Sequence, residues 1–275
     1  MATTSVSPHR DLAAPPRRAG LSGAVRSEFT KIRSTRSTYW ALAAMFAATV
    51  GFGALASVAS ASHASGLGPE FDATQQSLGG LYIGQLIIAV LGALTITSEY
   101  STGMIRTSLA VQPRRGTVLA AKGIVFTAVA LVTGLVTTFT AFFLGQALMS
   151  GHHISATLGQ PGVLRAVIGG ALFLTACGLL AFGLGLVLRH SAGAITAAIG
   201  LLFVLTVLVQ FLPQAWQAHV DKWIPALAGS GIWATVAPGP GSAPMFAAWA
   251  GFAVLAGYAA AALAAGAVVF FRRDA

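Results

Sequence analysis

The sequence predicts an all-α integral membrane protein with six transmembrane helices and an N-terminal amphipathic interfacial helix, and three observations carry that prediction. Of its 275 residues, 56% are hydrophobic and 8% charged, whereas soluble domains carry about a quarter charged residues. The apolar residues gather into six runs, each near the roughly 20 residues that cross a hydrocarbon core. The sixteen Lys and Arg flank those runs instead of forming a stripe with interleaved aromatics. The net charge of +9 therefore points to a membrane and away from nucleic acid.

Residues 1–20 mix Pro, Ser, Ala and Arg without periodicity and read as a disordered cytoplasmic tail, too polar for a secretory signal peptide. The amphipathic interfacial helix spans 21–38. Leu21, Val25, Phe29 and Ile32 are spaced at helical intervals on one face, and Arg26, Lys31, Arg33 and Arg36 occupy most of the rest. Such a basic helix beside a span is expected in the headgroup plane. The six-helix domain occupies 39–275, with spans at 39–60, 78–97, 123–148, 163–188, 191–212 and 245–271. Tyr39 and Trp40 suit an interfacial aromatic anchor. Only Arg189 and His190 separate the fourth and fifth spans, which requires a tight helical hairpin. Gly80 with Gly84, and Gly193 with Ala197, have the spacing that permits close helix approach.

Orientation follows from the cations. Fourteen of the sixteen lie in segments that share a side with the N-terminus, so the positive-inside rule expects both termini in the cytoplasm of a multi-pass plasma-membrane protein. Arg165 is expected to snorkel to the outer interface. In the outer helical segment, 213–244, Trp216, Val220, Trp223 and Leu227 share one face and read as an amphipathic helix on the outer leaflet, followed by the turn-rich APGPGSAP.

Several chemistries have no support. The three lysines follow Thr30, Ala121 and Asp221, so none ends the glycine-rich loop that cradles nucleotide phosphates. No catalytic residues and no metal site are expected: His152 and His153 have no nearby Cys or carboxylate, and Cys177, the single cysteine, reads as a packing residue. An ion-coupled carrier would need intramembrane acids or histidines, which the spans lack.

The remaining polar interruption is the loop 98–122, with four cations, Arg106, Arg114, Arg115 and Lys122. Met104, Ile105 and Leu109 fall on one side of a short helix that Pro113 stops. The ordered set Glu99, Gly103, Leu109, Pro113, Arg115, Lys122 resembles the loop between the second and third spans of ABC-2 type transporter permeases, and RSEFTKIRSTRSTYW resembles the start of permeases whose ATPase is a separate chain. Met104 departs from the Thr that many members carry there. The resemblance implies an ABC-2 (type V exporter-like) permease that exports or flips a drug-, antibiotic-, lipid- or peptide-like substrate. Its partners would be an ABC ATP-binding subunit, membrane lipids and an identical or similar permease, with no nucleic acid. ATP-Mg would belong to the partner ATPase and no cofactor to this chain. Met104, Ile105 and Leu109 would then plug an ATPase groove, with Glu99 and Arg106 as polar contacts around them. The rival reading is a membrane assembly or regulatory protein without transport activity. A membrane-embedded enzyme and a secondary carrier rank below it.

Burying one aliphatic anchor contributes roughly 1.5–3 kcal/mol. Ile105→Asp or Leu109→Asp is therefore expected to abolish co-purification of the ATPase while leaving membrane insertion intact.

Overall fold

A computed structural model describes residues 20–68, 70–104, 114–236 and 245–272. Six helices among them are long and apolar enough to cross a membrane. The helix α1 (Leu21–Ser34) precedes the first span, α2 (Arg36–Ser62), and extended Thr35 breaks the chain between them. A short α3 (Ala73–Ser77) leads into α4 (Leu81–Ser101). The spans α5 (Arg115–Ser150) and α6 (Val163–Leu188) follow. The fifth span, α7 (Ser191–Val209), contains a π turn at Gly200–Val204. Two short helices, α8 (Gln214–Val220) and α9 (Pro225–Ser230), come before the last span, α10 (Ala248–Arg272).

The central helix is α6. Of its most apolar stretch 72% is buried, against 22% for α7 and for α10. It packs against α4, α5, α7 and α10, while α2 packs on α4 and α5. Contact between α2 and α4 depends on missing side chains: a Cβ at Gly80 would overlap the Thr49 backbone, and one at Gly84 would meet the Thr49 hydroxyl. Within the chain, Gly193 has no such close neighbour. The fourth and fifth spans do form the expected hairpin. Arg189 closes it in the left-handed region, at φ 55°, and the His190 ring accepts from the Gly193 amide at the start of α7.

With 36 residues, α5 is about 54 Å long at 1.5 Å per residue, far more than the core needs. The surplus includes its first two turns, so Lys122 lies inside a helix that begins at Arg115. The two ends of the bundle differ in chemistry. One gathers α1 with Arg115, Lys122, Arg189 and the end of α10. There Arg115 and Arg189 donate to the carbonyls of Phe270 and Val269 (3.4 and 3.0 Å), acceptors that the helix terminus leaves without internal donors.

The other end is latched by charges on backbone. Asp72 caps α3 through the Gln75 amide (2.8 Å) and also accepts from the Thr235 hydroxyl and the Val236 amide (2.7 and 2.9 Å). Arg165 donates to the carbonyls of Ile232 and Ala234 (3.2 and 2.8 Å). The anticipated single outer helix is also broken: α8 passes into a 3-10 turn at Asp221–Trp223, Ile224 is extended, and Pro225 opens α9. Proline has no amide to donate and fits the first helical position, so it starts a helix where the apolar spacing alone would have continued one. Trp216 and Trp223 are exposed, Val220 and Leu227 are half-buried, and Ile224, Ile232 and Trp233 are among the residues that bury. Trp233 meets Tyr82 and Phe173 edge-on.

Overpacking a tight contact typically costs about 1–3 kcal/mol. Gly80→Ala is expected to lower the unfolding temperature of the solubilised protein, with Gly66→Ala, which faces open space, unchanged.

Candidate functional site: a charge tetrad under the amphipathic helix

Four ionised side chains meet where α1 crosses the ends of α4 and α5. Lys122 donates to Glu28 Oε2 at 2.6 Å and to Glu99 Oε1 at 2.8 Å. Lys31 donates to Glu28 Oε1 at 2.7 Å and to Glu99 Oε1 at 3.1 Å. Glu28, Glu99 and Lys122 are each over nine-tenths buried, whereas the Lys31 side chain is 31% exposed. The quartet is formally neutral, as burial demands, because an unpaired ion in a low-dielectric site costs several kcal/mol. Burial alone would push the Glu28 carboxyl up. The charge and hydrogen bond of Lys122, with Lys31 beside it, outweigh that and hold the carboxyl below its usual range. For Lys31, burial acts downward, but Glu28 and Glu99 overcome it and raise the ammonium above its ordinary value. Both groups are therefore charged around neutrality.

Local sequence explains the geometry. Glu28 and Lys31 are three apart, so one helical face presents both. Glu99 lies in the last turn of α4, and Gly103, at φ 71°, supplies the left-handed residue just beyond the helix end. The tetrad therefore ties α1 to α4 and α5 at the two ends of the 105–113 stretch.

The anticipated site residues separate into three groups. Glu99 is in the tetrad, Gly103 is at the α4 terminus, Met104 is exposed, and Arg115 holds the end of α10. Ile105, Arg106, Leu109 and Pro113 lie outside the described residues. On α1, Arg33 is exposed and Ile32 half-buried, while Val25 and Phe29 border an apolar groove against Ile124, Ala128 and Val132 of α5. Lys31, expected on a solvated basic face, turns into the tetrad. Glu28 was missed altogether. Its signal is in the sequence: it is the single acid of α1, three residues before a lysine.

The fold defines a multi-pass α-helical membrane protein with a charged clamp at one end. The model of the ABC-2 family transporter protein matches residues 24–219, from α1 through nearly all of α8. The chain belongs to the ABC-2 family of transporter membrane proteins, whose members act as the membrane subunit of ABC transporters and pair in general with an ATP-binding subunit. No curated protein matches the chain significantly.

Breaking a buried ion pair by removing one partner costs about 3–5 kcal/mol. Lys122→Met is expected to destabilise the solubilised protein by that order in denaturant titration, and Lys31→Met, at the exposed corner, by much less.

Proposed function

We propose that this permease subunit exports or flips a drug-, antibiotic-, lipid- or peptide-like substrate, driven by ATP hydrolysis in a separate subunit that docks on the 98–122 segment from the cytoplasm. Both termini would then be cytoplasmic, and the chain would pair with a second, identical or similar permease. ATP-Mg would sit in the partner.

The tetrad is the observation that supports this reading most directly. A motor pushing on the stretch between α4 and α5 acts on a point flanked by Glu99 and Lys122. Because both side chains also hold α1, the push would move α1, α4 and α5 together instead of bending a loop. Family membership and the cation-rich end, which gathers α1, Arg115, Lys122, Arg189 and Arg272, agree with a cytoplasmic docking face.

The test is co-expression with the ATPase encoded by a neighbouring reading frame, followed by comparison of permease-stimulated ATP hydrolysis. An uncharged quartet, Glu28→Gln with Lys31→Met, Glu99→Gln and Lys122→Met, avoids orphaned buried ions and should still insert and bind the ATPase. It is expected to lower the stimulated rate roughly tenfold or more, the scale of a typical coupling free energy. An unchanged rate in an assembled complex would remove the tetrad from the transmission path.

A further inference from the structure

Where α1 lies against α5, the two helices leave a groove of about 340 Å³ between Val25 and Phe29 on one side and the stretch from Ile124 to Thr133 on the other. Its wall is hydrocarbon. Thr133 is its one polar liner among the described residues, and that hydroxyl donates to the Val129 carbonyl at 2.6 Å, so it has no proton left for an occupant. The distance from Ile124 to Val132 along α5 is about 12 Å at 1.5 Å per residue. The groove thus begins just past Lys122 and runs into the apolar part of the span. Phe29, Ile124 and Val132 are 51%, 48% and 60% exposed, so it is open along its length.

The rim at the α1 end carries charge of one sign. Arg26 lies three residues before Phe29 and Arg33 four residues after it, which puts both on the Phe29 stripe of the helix. Both are exposed, and neither forms an ion pair among the described residues. Glu28, the single acid of α1, is turned into the tetrad, where Lys31 and Lys122 hold it. Burying that acid leaves no carboxylate on the exposed surface of α1 to compete for the two guanidinium groups. Arg36, exposed at the start of α2, adds to the same sign.

The wall and the rim together select an occupant. A wall without free polar groups suits an aliphatic chain, and a cationic mouth suits an anion attached to that chain. A soluble partner does not reach a groove that runs along a membrane span. A second copy of the chain seated on the groove about a two-fold axis would bring Arg26 and Arg33 against their own duplicates, and like charges oppose such a contact.

We propose that this groove holds one acyl chain of an anionic phospholipid, with the phosphate and its net negative headgroup between Arg26 and Arg33. Guanidinium groups match phosphate oxygens in geometry as well as in charge. The lipid fills the seam between α1 and α5 that the tetrad leaves open. Binding of this kind is independent of the transport reading, and its test uses no ATPase.

The full-length chain is reconstituted in vesicles of equal phosphatidylglycerol and phosphatidylcholine with identical acyl chains, extracted in mild detergent, and its retained lipid counted by native mass spectrometry. One arginine near the surface is worth roughly fivefold in affinity for an anionic lipid, so an excess of phosphatidylglycerol of about tenfold or more is expected. Arg26→Gln with Arg33→Gln should bring the two lipids near parity at unchanged thermal unfolding, because both side chains are exposed and unpaired. Ala128→Trp, which fills the groove from an exposed position, should lower retained phosphatidylglycerol severalfold with both arginines still present. Equal retention of the two lipids by the wild-type chain would overturn the assignment. So would a preference that survives the loss of both arginines, or retention unaffected by Ala128→Trp, which would mark a diffuse basic surface and no groove. A photocrosslinker at position 128, irradiated in cell membranes, is expected to yield a phospholipid adduct. An adduct to a second copy of the chain, or to another protein, would overturn the choice of occupant.

Discussion

Lys122 is an ammonium buried at the end of an apolar bundle, and the arrangement of that end depends on how it is neutralised. It draws one carboxylate from α4, which precedes it, and another from α1, ninety-four residues back. Remove either and the remaining charges no longer balance in a medium that penalises imbalance heavily. The amphipathic helix is thereby converted from a peripheral element that could float at the interface into a fixed member of the bundle. Its apolar residues still border a groove, yet its most buried residue is an acid.

The two ends of the molecule solve the burial of charge differently. At the cation-rich end, ions pair with ions and two arginines hold the carbonyls that end α10. At the opposite end, Asp72 and Arg165 are satisfied mainly by backbone groups of the 232–236 segment, and each fixes an irregular stretch of chain that could not otherwise meet its hydrogen-bonding requirement. Between the ends, small residues let α2, α4 and α6 approach closely. The result is a central body around α6, with α7 and α10 on its flanks. The fifth span, α7, is little enclosed and carries a π turn at Gly200–Val204, and such turns recur at functional positions in helices.

Most of the architecture was legible because hydrophobic runs of membrane length leave few alternatives. The observed fourth span coincides with its expected bounds, and the others shift by a few residues, apart from the early start of α5. Helix ends were less legible: apolar content says where lipid is, while a helix such as α5 continues beyond it as long as its backbone bonds to itself. The outer segment was misread for a related reason. Periodicity placed Trp216, Val220, Trp223 and Leu227 on one face, but Pro225 controls whether that face is continuous. At the site, Glu99 and Lys122 were marked by their place at span ends, and Lys31 by helical spacing. Glu28 escaped because one acid among many cations reads as local charge balance.

The sequence by itself determined the number of spans, their asymmetric charge and the family likeness, since these follow from composition along the chain and need no knowledge of neighbours. Only the tertiary structure decided which charges face one another. Neutralising a buried ion is a matter of distance in space, and residues 28, 31, 99 and 122 become neighbours only when three helices have already packed.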